Sequence, residues 1–260
     1  MNKLKRFHPH FIILLLLCNS CTDNNEISKN CNITSCDVST LLYPEINRPI
    51  LYNPNFSNKI YFEYDNQNRI IKILGGLVKI SDGANAFNYS FFDGLETNVN
   101  YENNNVIIEN DVFSIIEDKL NSKKTTESPY YNQIEYNYEY NENFIQELQN
   151  GRINKTFYFT NNNLSKVEQI IYKADYSISR KKELIFSDYD NNDNLLKGLF
   201  FVSGAFYKAF SDNNFKTLEY KIYNYENNEF ILDLENGYSY NLNFELNNDG
   251  IVNLFEQNCN

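Results

Sequence analysis

The stretch Ile134-Glu135-Tyr136-Asn137-Tyr138-Glu139-Tyr140-Asn141 alternates large side chains with polar ones at every step. Successive side chains of a β-strand point to opposite faces, so this period of two places four large residues on one face and four polar residues on the other. The same alternation returns in a second stretch, in which the large residues are Tyr238, Tyr240, Leu242, Phe244 and Leu246. Half-buried antiparallel strands have this pattern, and it predicts a β fold.

Glycine-containing pairs typical of tight turns lie between the alternating stretches. Asn-Gly and Asp-Gly supply the positive φ angles that two-residue hairpins require; they occur at Asp93-Gly94, Asn150-Gly151, Asn236-Gly237 and Asp249-Gly250. Helical spacing has weak support, at residues 111–120 and 164–174, and the latter also fits a strand. We therefore predict an all-β fold with a single antiparallel meander sheet that could curve into a half-barrel, with at most one or two short helices.

The pattern also divides the chain into three parts. The period of two begins at Lys59 and is sustained over 59–260, which we predict to be one antiparallel β domain. Residues 21–58 are polar, show no sustained period and contain Pro44, Pro49 and Pro54, as expected of a tether. Residues 1–20 have the organisation of an export signal.

This N-terminal segment opens with three basic residues and continues with an apolar run over 11–17 that is too short to span a bilayer. The following Cys18-Asn19-Ser20-Cys21 resembles the lipobox of bacterial lipoproteins, whose cysteine receives acyl chains and becomes the mature N-terminus. With the small Ser20 directly before it, Cys21 is the lipid attachment site that the resemblance implies. Attachment at Cys18 and a secretory signal without lipid are the alternatives.

Two acidic residues, Asp23 and Glu26, follow Cys21. They resemble the acidic tag that sends lipoproteins of Bacteroidetes to the outer face of the outer membrane. The alternative is a chance pair in an acidic linker. The resemblance implies a lipid-anchored outer-membrane protein exposed at the cell surface, with the membrane as its first partner.

Charge and composition exclude several classes of function. The formal net charge is −11, and loss of residues 1–20, which contain three basic and no acidic residues, moves it to −14. Nucleic-acid binding depends on Lys and Arg, so it is not expected here. Both histidines, His8 and His10, lie in the signal, so the mature chain has no Ser-His-Asp unit and no histidine-ligated metal centre. We expect a protein that is not an enzyme and that has no cofactor.

Three cysteines remain after the predicted lipid site: Cys31, Cys36 and Cys259. Export would place them in a compartment that permits disulfides. Cys31 and Cys36 could close a short loop, which we favour slightly, or one of them could pair with Cys259 and join the two ends of the domain.

An internal repeat links several parts of the chain. Tyr64-Asp65-Asn66-Gln67-Asn68-Arg69-Ile70 and Tyr189-Asp190-Asn191-Asn192-Asp193-Asn194-Leu195 each join an aromatic strand, a polar turn and an aliphatic residue. Looser copies lie at 157–164, 223–228 and 244–251. The first copy resembles the YD-repeat pattern Tyr-Asp-x-x-Gly-Arg-Leu, with Asn68 in place of Gly. The chain is similar to small Bacteroidetes lipoproteins with YD-like hairpins, which implies fold and location rather than an activity.

Two further features are candidate sites. Asp188, Asp190 and Asn192 offer oxygen ligands at alternate positions, as calcium loops do, although a polar turn within the repeat is the better explanation; we predict no other metal site. An unusually apolar stretch surrounds Gly204 over residues 199–210, and it is either core or the lining of a hydrophobic cavity.

These observations favour a non-catalytic binding role with a glycan or another extracellular ligand, whose residues the sequence does not name. The alternatives are a carrier of lipid or another hydrophobic ligand in the envelope, and an interaction protein such as the immunity partner of a toxin. A flat strip of exposed tyrosine would favour glycan binding, whereas a deep apolar cavity would favour the carrier.

Overall fold

The computed structural model describes residues 31–37, 59–81, 87–125, 133–241 and 255–259. The predicted signal, Cys21 and the Asp249-Gly250 pair lie outside these residues. Those described form one antiparallel sheet of fifteen strands: β1 (Cys31–Asp37), β2 (Lys59–Tyr64), β3 (Ile70–Ser81), β4 (Phe87–Glu102), β5 (Asn105–Ile108), β6 (Asp111–Ile116), β7 (Lys119–Thr125), β8 (Ile134–Tyr140), β9 (Phe144–Gln149), β10 (Arg152–Thr160), β11 (Asn163–Tyr172), β12 (Ile178–Asp193), β13 (Asn213–Glu226), β14 (Glu229–Asn241) and β15 (Phe255–Cys259).

The sheet is a meander, as predicted. Strands β1 to β14 lie side by side in chain order, and β15 returns to pair with β1 at the far edge. Residues 111–120 and 164–174, which had weak helical spacing, belong to strands and turns. The one helical element in the described part of the chain is a 3₁₀ turn at Lys208–Phe210. Among those residues we find no helix with the length and apolar character that crossing a membrane requires.

Strand β1 lies within the stretch that we predicted to be a tether. Ile33, Ser35 and Cys36 are buried in it, and β1 pairs with β2 on one side and with β15 on the other. The β structure therefore begins before Lys59. A seven-residue strand with a buried serine is too short and too polar to show a clear period in sequence.

The sheet must be curved. Consecutive strands β14 and β15 form its two edges, and the fourteen residue steps from Asn241 to Phe255 reach at most about 50 Å. Fifteen flat strands about 4.8 Å apart would hold the edges about 67 Å apart. The open, curved sheet agrees with the predicted all-β class.

The segment between β12 and β13, residues 194–212, fills the inside of the curve, and we call it the inner segment. The Phe210 ring lies 4.9 Å from that of Phe157 on β10, and Tyr207 lies 6.0 Å from Phe186 on β12. Phe200, Val202 and Ala205 are also buried. The apolar stretch around Gly204 is therefore core, which confirms that interpretation.

Asparagine residues shape many of the turns. Asn150 and Gly151 have φ of 52° and 72°, so the predicted hairpin between β9 and β10 is confirmed. Two of the looser repeat copies contain a pair of asparagines with positive φ, Asn161-Asn162 and Asn227-Asn228, which join neighbouring strands in the same way. The copy at 244–251 lies outside the described residues.

The hairpins predicted at Asp93-Gly94 and Asn236-Gly237 are wrong. Both pairs lie inside long strands, β4 and β14, where the register with the neighbouring strand shifts. A glycine-containing pair can serve a bulge as well as a turn, and the local sequence does not distinguish the two.

Candidate functional site

The clearest cluster of polar and aromatic side chains lies on the outer face of β10 to β13. Phe157, Val167, Leu184 and Tyr220 are buried on the inner face of these four strands. Because side chains alternate along a strand, their neighbours point outward. Six outward residues form what we call the outer cluster: Tyr158, Lys166, Glu168, Lys181, Glu183 and Tyr223.

Two glutamates form the centre of the outer cluster. Glu168 on β11 and Glu183 on β12 are direct partners in the register of the sheet. Cross-strand partners have Cβ atoms about 5 Å apart, where two like charges repel each other. Each carboxylate therefore needs compensation from its neighbours.

Each glutamate receives one hydrogen bond from a tyrosine and one from a lysine. The hydroxyl of Tyr158 donates to Oε2 of Glu168 at 2.8 Å, and Nζ of Lys166 donates to Oε1 at 2.9 Å. The second glutamate repeats this arrangement. Tyr223 donates to Oε2 of Glu183 at 2.7 Å, and Lys181 donates to Oε1 at 2.6 Å.

The two halves are related by a local two-fold axis between β11 and β12. Tyr158 is the register partner of Lys166, and Tyr223 is the register partner of Lys181. Each ammonium also lies 4.4 Å from the ring centroid of its tyrosine. The two-fold relation follows from the antiparallel pairing, because each Lys-x-Glu places both side chains on one face.

The surroundings shift the pKa of three residues of the outer cluster, Tyr158, Glu168 and Tyr223. Partial burial, together with the hydrogen bond to the adjacent glutamate, raises the pKa of both Tyr158 and Tyr223 to about 12. Partial burial alone would raise the pKa of Glu168, but the hydrogen bonds from Lys166 and Tyr158 outweigh it and hold the pKa below its ordinary value. By residue type, two lysines and two glutamates give the outer cluster a formal charge of zero.

Aromatic rings continue the outer cluster at both ends. The Phe144 ring on β9 lies 6.5 Å from that of Tyr158. At the other end, Lys181 lies 5.1 Å from the Phe230 ring on β14, which is 4.9 Å from Tyr225. All four rings are partly exposed. The result is a strip of aromatic rings with fixed hydrogen-bonding groups at its centre.

The structure gives the candidate calcium ligands other contacts. Asp190 accepts hydrogen bonds from the backbone N–H groups of Asn192 and Asn214, at 3.2 and 3.1 Å, and from both of their side-chain amides. The Thr217 hydroxyl donates to Asp188. Within the described ranges, no group of three or more Cys, Asp or Glu residues is arranged to hold a metal ion. Calcium binding stays a prediction.

The first copy of the repeat forms a capped turn. The Asp65 carboxylate accepts hydrogen bonds from the backbone N–H groups of Gln67 and Arg69, and the Arg69 guanidinium donates two more at 2.8 and 2.7 Å. Asn68 has a φ of 59°, which explains its presence in place of glycine. The Tyr189-Asp190 copy differs, because β12 runs on into the inner segment instead of a hairpin.

The backbone positions of the cysteines show which pairs of them a disulfide could join. Cys31 and Cys36 are both in β1, and five steps of extended chain separate them by about 16 Å, which is beyond the reach of a disulfide. Cys31 is instead the register partner of Cys259. The register therefore favours the pairing that joins the two ends of the domain, and the disulfide itself stays a prediction.

Sequence reasoning missed the six residues of the outer cluster. The available signal is the pattern Lys-x-Glu, which occurs at Lys166-Val167-Glu168 and at Lys181-Lys182-Glu183 and places both charges on one face of a strand. The pattern does not say that the two copies are neighbours, because this depends on the register between β11 and β12.

Comparisons with known proteins find similarity among solved structures alone. No family model matches the chain, and no curated protein matches it. A porin-like protein from Bacteroides vulgatus ATCC 8482 is 16% identical, with a TM-score of 0.46 over 79% of this chain and 92% of that chain. A porin-like protein from Bacteroides uniformis ATCC 8492 is 14% identical, with a TM-score of 0.43 over 75% and 80% of the two chains.

Proposed function

We propose that this protein is a non-catalytic, lipid-anchored protein of the outer membrane that binds an uncharged glycan through its outer cluster. The anchor is Cys21, and the proposal for it rests on the lipobox-like sequence. The observation that carries the binding role is the two-fold repetition of tyrosine, lysine and glutamate on one strip of the sheet.

The chemistry of this strip suits a glycan. Sugar hydroxyls both donate and accept hydrogen bonds, and the strip offers two carboxylates and two ammonium groups at fixed positions. Aromatic rings at both ends can pack against the apolar faces of sugar rings. Because the lysines and glutamates balance, the strip has no net preference for a charged glycan.

The interior of the molecule gives less support to a hydrophobic carrier. The inner segment occupies the space inside the curved sheet, with Phe157 and Phe200 packed against Phe210. That space is the core that stabilises the fold.

The test is a glycan array probed with the full-length protein purified from membranes. We expect binding to uncharged oligosaccharides that falls at least about tenfold in Tyr223→Ala and in Tyr158→Ala, because each change removes a ring and frees a glutamate. Tyr176→Ala is the matched control, since this tyrosine is 67% exposed and lies outside the cluster. Equal binding by all three variants, or no binding by the wild type, would contradict the proposal.

The anchor is tested separately by labelling cells with radioactive palmitate. We expect label on the wild type and none on Cys21→Ala. A labelled Cys21→Ala protein would show that the lipid is attached elsewhere.

A further inference from the structure

A small pocket lies on the inner face of β10 to β13, opposite the outer cluster. Its floor includes Lys155, Gln169 and Lys182, which are successive register partners on β10, β11 and β12. Tyr207 of the inner segment also lines the pocket, which is partly open to solvent. The space inside is enough for about one water molecule. A ligand of this pocket is therefore a water molecule or a single small ion.

Donor groups predominate among the polar side chains of the pocket. The ammonium groups of Lys155 and Lys182 have N–H donors and no acceptor. The Gln169 amide has two N–H groups, and its hydrogen bond to the Asn154 side chain at 3.3 Å uses one of them. A ligand that accepts several hydrogen bonds at once suits these three residues.

The lysines of the pocket carry more positive charge than their neighbours balance. Nζ of Lys155 lies 3.7 Å from Oε1 of Glu147, a residue that is only 3% exposed. In the part of the chain that the structure describes, no carboxylate lies within ion-pair distance of Nζ of Lys182, and none of the residues that line the pocket is acidic. By residue type, two lysines and one glutamate give this group a formal charge of +1.

Glu147 is too distant to balance Lys182 as well. It is the register partner of Lys155 and lies three strands from Lys182, which is about 14 Å along the sheet. Its carboxylate also accepts hydrogen bonds from the Tyr138 hydroxyl at 2.7 Å and from the Asn154 amide at 2.6 Å. The positive charge of Lys182 therefore faces a pocket that has no negative group beside it.

We propose that this pocket binds one chloride ion, to which Lys155, Gln169 and Lys182 donate hydrogen bonds. The ion cancels the remaining positive charge, and the open side of the pocket gives it the small extra room that it needs beyond that of a water molecule. Water screens a charge in a partly buried site less than a charge at the surface, so the bound ion stabilises the folded chain. Large organic anions such as gluconate do not fit.

The test is urea unfolding of the full-length protein, purified in detergent, in sodium chloride and in sodium gluconate of equal concentration. A ligand that binds the folded chain alone raises its stability, so we expect the midpoint of the wild type to be at least about 0.3 M higher in chloride. Lys182→Met should lose this difference, and Lys182→Arg should keep most of it. Lys173→Met, which changes an exposed lysine between β11 and β12, is the matched control.

X-ray diffraction at long wavelength locates the ion, because chloride has an anomalous signal that water lacks. We expect one anomalous peak among Lys155, Gln169 and Lys182 in crystals grown in sodium chloride, and no such peak in Lys182→Met. Any of three results would overturn the proposal: a water molecule alone in the pocket, equal midpoints of the wild type in the two salts, or an unchanged difference in Lys182→Met.

The chloride site is independent of the proposed glycan site. Tyr223 faces the other side of the sheet, where its hydroxyl donates to Glu183. Tyr223→Ala should therefore lose glycan binding and keep the difference between chloride and gluconate.

Discussion

Lys208 is the most unusual single residue of the fold. It is 1% exposed in the inner segment, and its Nζ lies 4.9 Å from the ring centroid of Phe215. Burial lowers the pKa of Lys208 to about 7, although the electrostatic effects of Cys36 and Asp190 raise it. A group whose pKa depends on burial in this way makes the stability of the fold depend on pH.

The sign of this dependence follows from proton binding. Between pH 7 and about 10.5 the unfolded chain holds a proton on Lys208 that the folded chain has released, so this group makes stability rise with pH. We expect the free energy of unfolding of the wild type to rise between pH 7 and 9, by at most about 1.4 kcal/mol per pH unit from this group. In Lys208→Met this contribution should disappear. Urea unfolding at several pH values measures both slopes.

Lys197→Met is the control, because this lysine is 61% exposed and pairs with Asp212 at the surface. Its pH dependence should follow that of the wild type. Parallel curves for Lys208→Met and the wild type would contradict the prediction.

Turns between neighbouring strands decide the register of this sheet. The hairpin between β9 and β10 uses Gly151 with a φ of 72°, and outside Gly151 and its two chain neighbours no heavy atom lies within 4 Å of the position that a Cβ would take. Substitution there tests the backbone alone, without a steric clash. The left-handed region costs a β-branched residue more than it costs Asn.

Gly151→Val should therefore lower the free energy of unfolding by about 1–2 kcal/mol. Gly151→Asn should cost less, since Asn enters this region readily. Chemical denaturation of the two variants beside the wild type gives the comparison. Equal losses for Val and Asn would show that the turn does not keep its positive φ.

The hairpins also show what local sequence can and cannot predict. Asn150-Gly151 was predicted from two residues, because a tight turn needs positive φ and few residue types supply it. Asp93-Gly94 has the same chemistry and lies in β4 at a shift of register with β3. The difference depends on the pairing of residues that are distant in sequence.

At the scale of the whole molecule, the C-terminal strand of the sheet pairs with the N-terminal strand. Strand β15 pairs with β1, which places Cys31 opposite Cys259 at one edge of the sheet. A disulfide here would join the two ends of the domain and restrict a very long loop in the unfolded chain.

We expect peptide mapping of the purified full-length protein without reduction to find Cys31 linked to Cys259. Cys31→Ser and Cys259→Ser should each lower the free energy of unfolding by about 2–5 kcal/mol, and the double variant should lose no more than either single one. A peptide that links Cys31 to Cys36 would contradict the register of β1.

The sequence by itself determined the fold class, because strand periodicity and the positive φ of Asn and Gly are local properties. It also showed that both histidines, His8 and His10, lie in the predicted signal. Only the tertiary structure decided which residues meet. Glu168 and Glu183 become partners through the register of β11 and β12. The inner segment packs inside a curved sheet, and the sequence of a single strand does not predict that curvature. The physical reason is that the period of a strand decides which face of the sheet a side chain points to, whereas the pairing between strands decides which other side chains lie beside it.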